Sequence, residues 1–208
     1  MAILNRKRIV STVLGLGALA LAASPLTNKV VAPQAQAASP SGDVWLHGSF
    51  PVENFQGYTS PFGYRISPTG GYSTEFHSGL DFAAPSGSYI RNWWNGRVIS
   101  VSDNTACGTS VRVQSGSWIH VYCHMQGYVE SGASGPVMVD RAGGVRIAEG
   151  QQVTAGQRIG RVGMTGRTTG PHLHWTLKYQ GKFVDPATVL RTMYAAQGQA
   201  SQISSRPQ

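Results

Sequence analysis

Cysteine, acidic side chains and helical periodicity are all scarce in this 208-residue chain, which has only two cysteines and nine Asp and Glu residues. Two cysteines cannot build a Cys-rich metal finger or a disulfide-dense scaffold. None follows the N-terminal apolar run closely, which argues against lipid attachment there. There is no basic helix and no RNA-binding aromatic motif, so no nucleic-acid partner is expected despite a formal net charge of +8. Long apolar runs are also missing. The longest, Ile9 to Ala23, is interrupted by Ser11, Thr12 and two glycines and falls short of the ~18–20 residues of a membrane span.

That run follows Arg6, Lys7 and Arg8, the pattern of an export signal. Residues 1–37 are expected to be a signal peptide ending at the small-x-small site Ala35-Gln36-Ala37, with cleavage after Ala23 or an uncleaved anchor as alternatives. Its removal takes away four cations and leaves 13 basic against 9 acidic residues, a charge of +4. The remaining charge suits an anionic polymer such as a cell wall. An exported protein is expected, in the periplasm or outside the cell, with no stable membrane span after signal cleavage.

Beyond the signal, residues 38–57 read as a short segment, 58–190 as one domain and 191–208 as a polar tail. The tail is expected to be disordered from about Gln197. The pre-domain segment is short, so neither a large inhibitory pro-region nor a separate wall-binding module is expected in it. Short Val-, Ile- and aromatic-rich runs alternate with glycines, as in Arg97–Val101, Ser110–Gln114, Trp118–Tyr122, Arg158–Val162 and His172–Leu177. The pattern predicts an all-β domain of antiparallel sheets with long loops. Asp185-Pro186 marks a helix start, good for one or two turns over Pro186 to Leu190.

Ser115-Gly116 marks a hairpin turn that brings Cys107 and Cys123 close on neighbouring strands. With export, a disulfide follows. A second hairpin is expected across Ala142-Gly143-Gly144, either walling a groove or forming an ordinary surface excursion.

Two motifs carry the chemistry. His172-Leu173-His174 on a strand points both imidazoles to one face. His77-x-x-x-Asp81 spans a short turn and can bring an imidazole and a carboxylate together. Two histidines plus one carboxylate, with a fourth position left to water, form the donor set of a catalytic zinc site. A single histidine is more often a turn cap or a satisfied core residue, but two metal-type spacings flanked by glycines outweigh that reading.

An ordered set now accumulates: Ser60-Pro61-Phe62-Gly63-Tyr64-Arg65, His77-x-x-x-Asp81, Tyr122-Cys123-His124-Met125, the glycine turns at 150–166, and Gly170-Pro171-His172-Leu173-His174. Over about residues 58–190 it resembles the lysostaphin-type zinc endopeptidases of bacterial cell walls, the LytM-like domains. The resemblance implies antiparallel sheets with a narrow groove, one Zn2+ per domain, and hydrolysis of stem or bridge peptides in peptidoglycan. It implies His77, Asp81 and His174 as zinc ligands and His124 and His172 as catalytic histidines. No H-E-x-x-H helix supplies a glutamate base, so unliganded imidazoles are the natural proton carriers.

Strand parity places His120, Tyr122 and His124 on one face, and Cys123 on the other, away from the metal. His120 reads as a satisfied surface or hairpin histidine, and His47 carries no function. The chain departs from the family pattern at Arg91-Asn92-Trp93-Trp94, where small residues are usual; at most one of these tryptophans can face substrate. Tyr72 only approximately matches the family's tyrosine before the first zinc histidine, and is its oxyanion candidate here. Two other functions compete. A catalytically inactive wall-binding regulator of amidases resembles this domain but lacks zinc ligands, which this chain retains. A sugar-transport phosphocarrier shares a similar fold, but its phosphate donors are cytoplasmic.

Overall fold

The computed structural model describes residues 47–204, apart from residues 69 and 71. The expected signal peptide lies outside the described residues, as do residues 38–46 of the segment after it. The strands are β1 Gly57–Ser60, β2 Gly63–Ile66, β3 Thr74–His77, β4 Leu80–Ala83, β5 Tyr89–Arg91, β6 Gly96–Ser102, β7 Thr109–Ser115 and β8 Trp118–Met125. They continue with β9 Tyr128–Gly132, β10 Gly135–Asp140, β11 Val145–Ala148, β12 Gln152–Val153, β13 Arg158–Arg161, β14 His172–Tyr179 and β15 Lys182–Val184, before helix α1 Pro186–Ser204.

One sheet dominates, in the order β1-β4-β14-β8-β7-β6-β12, with β15 also paired to β14. Every pairing in it is antiparallel. The all-β expectation is met. Along β14 the alternation is plain: Leu173, Trp175 and Leu177 are buried in the core, while His172, His174 and Lys178 remain partly exposed. Trp175 meets Phe82 and Trp93 edge-on, at 6.0 and 5.7 Å between ring centroids. Each such fully buried side chain contributes roughly 1.5–3 kcal/mol of transfer free energy. Trp93 is buried and Trp94 half-buried against it, so packing accounts for both tryptophans.

Three features differ from the sequence reading. Residues from Ser49 to Gly57 pack into the domain: Val52 is buried and bridges to Ile90, and the Ser49 amide donates to the Trp93 carbonyl at 2.7 Å. Helix α1 runs far beyond Leu190. Asp185 caps it, accepting from the Ala187 amide at 2.9 Å, and Val189, Leu190 and Met193 bury one stripe. The Gln- and Ser-rich composition that pointed to disorder from Gln197 is outweighed because Ala and Gln propagate a helix once that stripe is anchored. The β10–β11 hairpin faces Met138, Val145 and Ile147 into the core, so it walls no part of the groove described below.

Cys107 and Cys123 form a disulfide. Cys107 lies in the turn before β7 rather than on the strand. His120 is not a surface residue. It is fully buried, 2.8 Å from Ser115 Oγ and 2.8 Å from the Tyr122 hydroxyl, with Trp93 edge-on at 5.4 Å. One donor and one acceptor suit a neutral imidazole, and burial pushes its pKa down to about 3.

The folded state therefore refuses a proton that the unfolded chain takes up below its ordinary value of about 6.5. Stability from this group is complete above that value and lost as pH falls toward 3, by about 1.4 kcal/mol per pH unit. Urea denaturation at pH 7 and pH 5 should show a clearly smaller loss for His120→Gln than for the parent. Equal losses would remove His120 from the acid response. Intact-mass measurement should show a two-hydrogen gain on reduction, and loss of the crosslink should cost about 3 kcal/mol for a loop of this length.

Candidate metal centre

Pairing of β4 with β14 sets Asp81 directly opposite His174. His77 ends β3, and the two-residue turn Ser78-Gly79 swings the chain back so that Asp81 and His77 meet. His77 Nε2 lies 2.9 Å from His174 Nδ1 and 3.1 Å from Asp81 Oδ1, and the last two atoms are 2.8 Å apart. Among the described residues, these three form the group able to hold a metal ion.

The surroundings fix how each group presents itself. The Pro61 carbonyl, 2.6 Å from His77 Nδ1, can only accept. His77 therefore carries its hydrogen on Nδ1 and turns a bare Nε2 lone pair inward, toward the Asp81 carboxylate. Two acceptors this close need a cation or a proton between them. His174 Nε2 contacts Thr176 Oγ1 at 3.0 Å, leaving Nδ1 to face the centre. Arg65 Nη1 donates to Asp81 Oδ2 at 3.3 Å and to Ser60 Oγ, while its Nη2 donates to Glu75. A tetrahedral zinc with ligands at ~2.0–2.1 Å has donor–donor edges of about 3.3 Å. The observed triangle accommodates that with a small expansion.

His124 and His172 flank the triangle. Their rings lie 4.8 Å apart, and His172 Nε2 is 3.5 Å from Asp81 Oδ1. His124 Nδ1 donates to the Thr165 carbonyl at 2.8 Å, and His172 Nδ1 to that of Gly170 at 2.9 Å. His124 thus keeps Nε2 as its free nitrogen, while His172 turns its Nε2 toward the Asp81 carboxylate. Burial pushes the His124 pKa down to about 4, against the weaker upward pull of the Thr165 carbonyl. Burial also opposes protonation of His172, but Asp81 and the Gly170 carbonyl together outweigh it and raise its pKa. For Asp81, burial favours the neutral acid, yet the hydrogen bonds of His172, His174 and His77 hold its pKa far below the usual carboxylate range.

Strand parity misplaces His120, Tyr122 and Cys123 relative to His124. His124 has φ of 58°, and the β7–β8 register shifts between Thr109 and Val111. This bulge breaks the alternation. His124 joins Val121 and Cys123 at the groove, while His120 and Tyr122 face the core. Cys123 thus shares the metal's side of the sheet, and the disulfide, rather than parity, withholds it from a metal. Tyr72 is not brought to the site: it is 99% exposed and does not line the groove. Sequence reasoning missed Arg65 and Thr176 as supports. Thr176 continues the His172, His174 alternation and was findable from it; the reach of Arg65 across the β2–β3 hairpin left no local signal.

The cluster lies in a groove of about 880 Å3 on the sheet face opposite the core. The sequence pattern of peptidase family M23 matches residues 75–134 and 138–186, just over half of the chain. The DD-carboxypeptidase/endopeptidase Mpg of Neisseria meningitidis is 31% identical over 145 residues, covering 68% of this chain and 29% of that protein. The chain thus spans under a third of the length of this curated relative. A zinc-containing peptidase from Vibrio cholerae superposes with a TM-score of 0.52 at 28% identity, over 67% of this chain and 39% of the other. The catalytic domain of the prophage-encoded M23 protein EnpA from Enterococcus faecalis gives 0.50 at 31% identity, over 68% of this chain and 95% of the other.

Gly79 permits the close approach of β14 to the turn. A Cβ there would stand 2.6 Å from the Trp175 carbonyl oxygen and 2.8 Å from the His174 ring. The carbonyl is backbone and cannot swing aside. Gly79→Ala should therefore displace His174 and weaken metal retention at least tenfold in competition with a chelator, followed by metal analysis. Retention equal to the parent would show that the turn has slack.

Proposed function

Because the chain belongs to peptidase family M23, we propose that it is a zinc endopeptidase that hydrolyses the peptide cross-links of bacterial peptidoglycan. The supporting observation is the convergence of His77 Nε2, Asp81 Oδ1 and His174 Nδ1 on the floor of an open groove. These residues would hold the ion, and two neutral imidazoles with one carboxylate leave it a net positive charge. Bound there, zinc supplies Lewis acidity that polarises a peptide carbonyl and makes water a better nucleophile near neutral pH.

The rest falls to the chain's own groups. His124 offers an Nε2 lone pair beside the cluster, held in orientation by the Thr165 carbonyl, and is placed to take a proton from water. His172, anchored through Gly170, is placed to steady negative charge on the carbonyl oxygen or return the proton to the leaving amine. The exposed position of Tyr72 leaves the oxyanion role to these histidines. Residues 58–190 remain the proposed catalytic domain, now with the flanking segments packed onto it. Export, with residues 1–37 as a removable signal, is the setting this substrate requires. No helix among the described residues is long and apolar enough to cross a membrane.

His77→Ala, Asp81→Ala and His174→Ala should each lose zinc and hydrolysis of purified wall together. His124→Ala and His172→Ala should keep zinc, keep their circular dichroism spectrum, and lose ~10²–10⁴-fold in turnover. Full zinc in the three ligand variants would sink the ligand assignment. A zinc-loaded parent unable to cut any wall preparation would favour the inactive amidase regulator instead.

A further inference from the structure

Beyond the metal cluster, the groove continues over the open face of the main sheet. Thr176, Val121, Arg112 and Ser100 stand in one row across β14, β8, β7 and β6. Lys178 lies two residues beyond Thr176 on β14. All five line the groove. The two acids that also line it, Asp81 and Glu75, are engaged by the metal cluster and by Arg65 and Arg167. Among the described residues Arg112 has no carboxylate within ion-pairing distance, and the Lys178 ammonium rests over the Phe183 ring at 4.4 Å. This end of the groove is therefore a bed of hydroxyls and one valine carrying two cations uncompensated by any lining acid. An electropositive recess in a low-dielectric wall attracts an anion.

We propose that Arg112 and Lys178 recognise a carboxylate on the substrate peptide, a few residues from the bond that is cut. The proposal rests on the endopeptidase reading and names what that enzyme selects. Lys178 lies four residues from His174 along one strand, about 13 Å by strand rise. Arg112 is two strands over and one row along, about 12 Å away by the same spacings. With side-chain reach, the bound carboxylate sits some three residues of extended peptide from the metal cluster, at about 3.3 Å each. Arg112 and Lys178 stand two strands and two residues apart, about 12 Å by the same spacings, so a single carboxylate between them is within reach of both long side chains once Lys178 swings off the Phe183 ring. A polyphosphate chain would need a longer basic track over the outer surface.

The test uses two synthetic stem peptides that differ only in a side carboxylate against its carboxamide at that distance, each in cleavable form and with the scissile amide reduced to an amine. Equilibrium binding of the uncleavable pair and hydrolysis of the cleavable pair are measured for the parent, Arg112→Gln, Lys178→Gln and the double variant. The parent should bind the acid roughly 10–100-fold more tightly than the amide, as charge-assisted hydrogen bonds provide. That preference should appear in KM more than in kcat, shrink with added salt, and vanish in the double variant. Thermal melting checks that the variants are folded.

No acid–amide difference in the parent, or a full difference surviving in the double variant, overturns the proposal. Tight binding to a polyphosphate polymer without any acid–amide difference also overturns it. If the acid preference is present in binding while neither peptide is cleaved, the recognition stands and the endopeptidase reading fails alone.

Discussion

The antiparallel ladder between β4 and β14 is the constraint on which the site depends. It fixes Asp81 opposite His174 by backbone hydrogen bonds rather than by side-chain persuasion. The His77 turn then closes the triangle. Because the ladder is part of a sheet whose other face is the hydrophobic core, displacing either donor would mean shearing packed residues such as Leu173 and Trp175. The donors are thereby brought within 2.8–3.1 Å of one another by the backbone, an arrangement that would lower the ordering cost of holding an ion.

Orientation comes largely from main-chain carbonyls. Pro61, Thr165 and Gly170 each accept from an imidazole Nδ1 and turn the opposite nitrogen toward the centre. A carbonyl has no protonation state to change, so these tautomers do not depend on a second titrating group. His174 is the exception, presenting Nδ1 because Thr176 takes Nε2. Three of the four rings thus read as one design, with the fourth inverted where a strand neighbour is nearer than a loop.

Much of this was legible in the chain. The H-x-H spacing and the H-x-x-x-D turn name four of the five central residues, because period-two alternation and a short turn are local geometry. The β-strand runs at 97–101, 110–114 and 172–177 lie within observed strands for the same reason. What stayed hidden was non-local or exceptional. A bulge at His124 reversed parity in β8, and nothing in Tyr122-Cys123-His124 announces a positive φ at a histidine. Helix α1 takes its length from an anchor against the sheet, which composition does not display. The burial of His120 beside Trp93 joins segments almost thirty residues apart.

Strand β14 alternates two environments residue by residue, with His172, His174, Thr176 and Lys178 at the groove and Leu173, Trp175 and Leu177 in the core. The two sets are chemically independent but share one backbone phase. A point replacement on the groove side can therefore alter the site without disturbing the interior. A single inserted or deleted residue would send tryptophan to water and imidazoles into the core at once. The length of this strand is therefore a stricter condition on the interior than the identity of any one residue on its groove side.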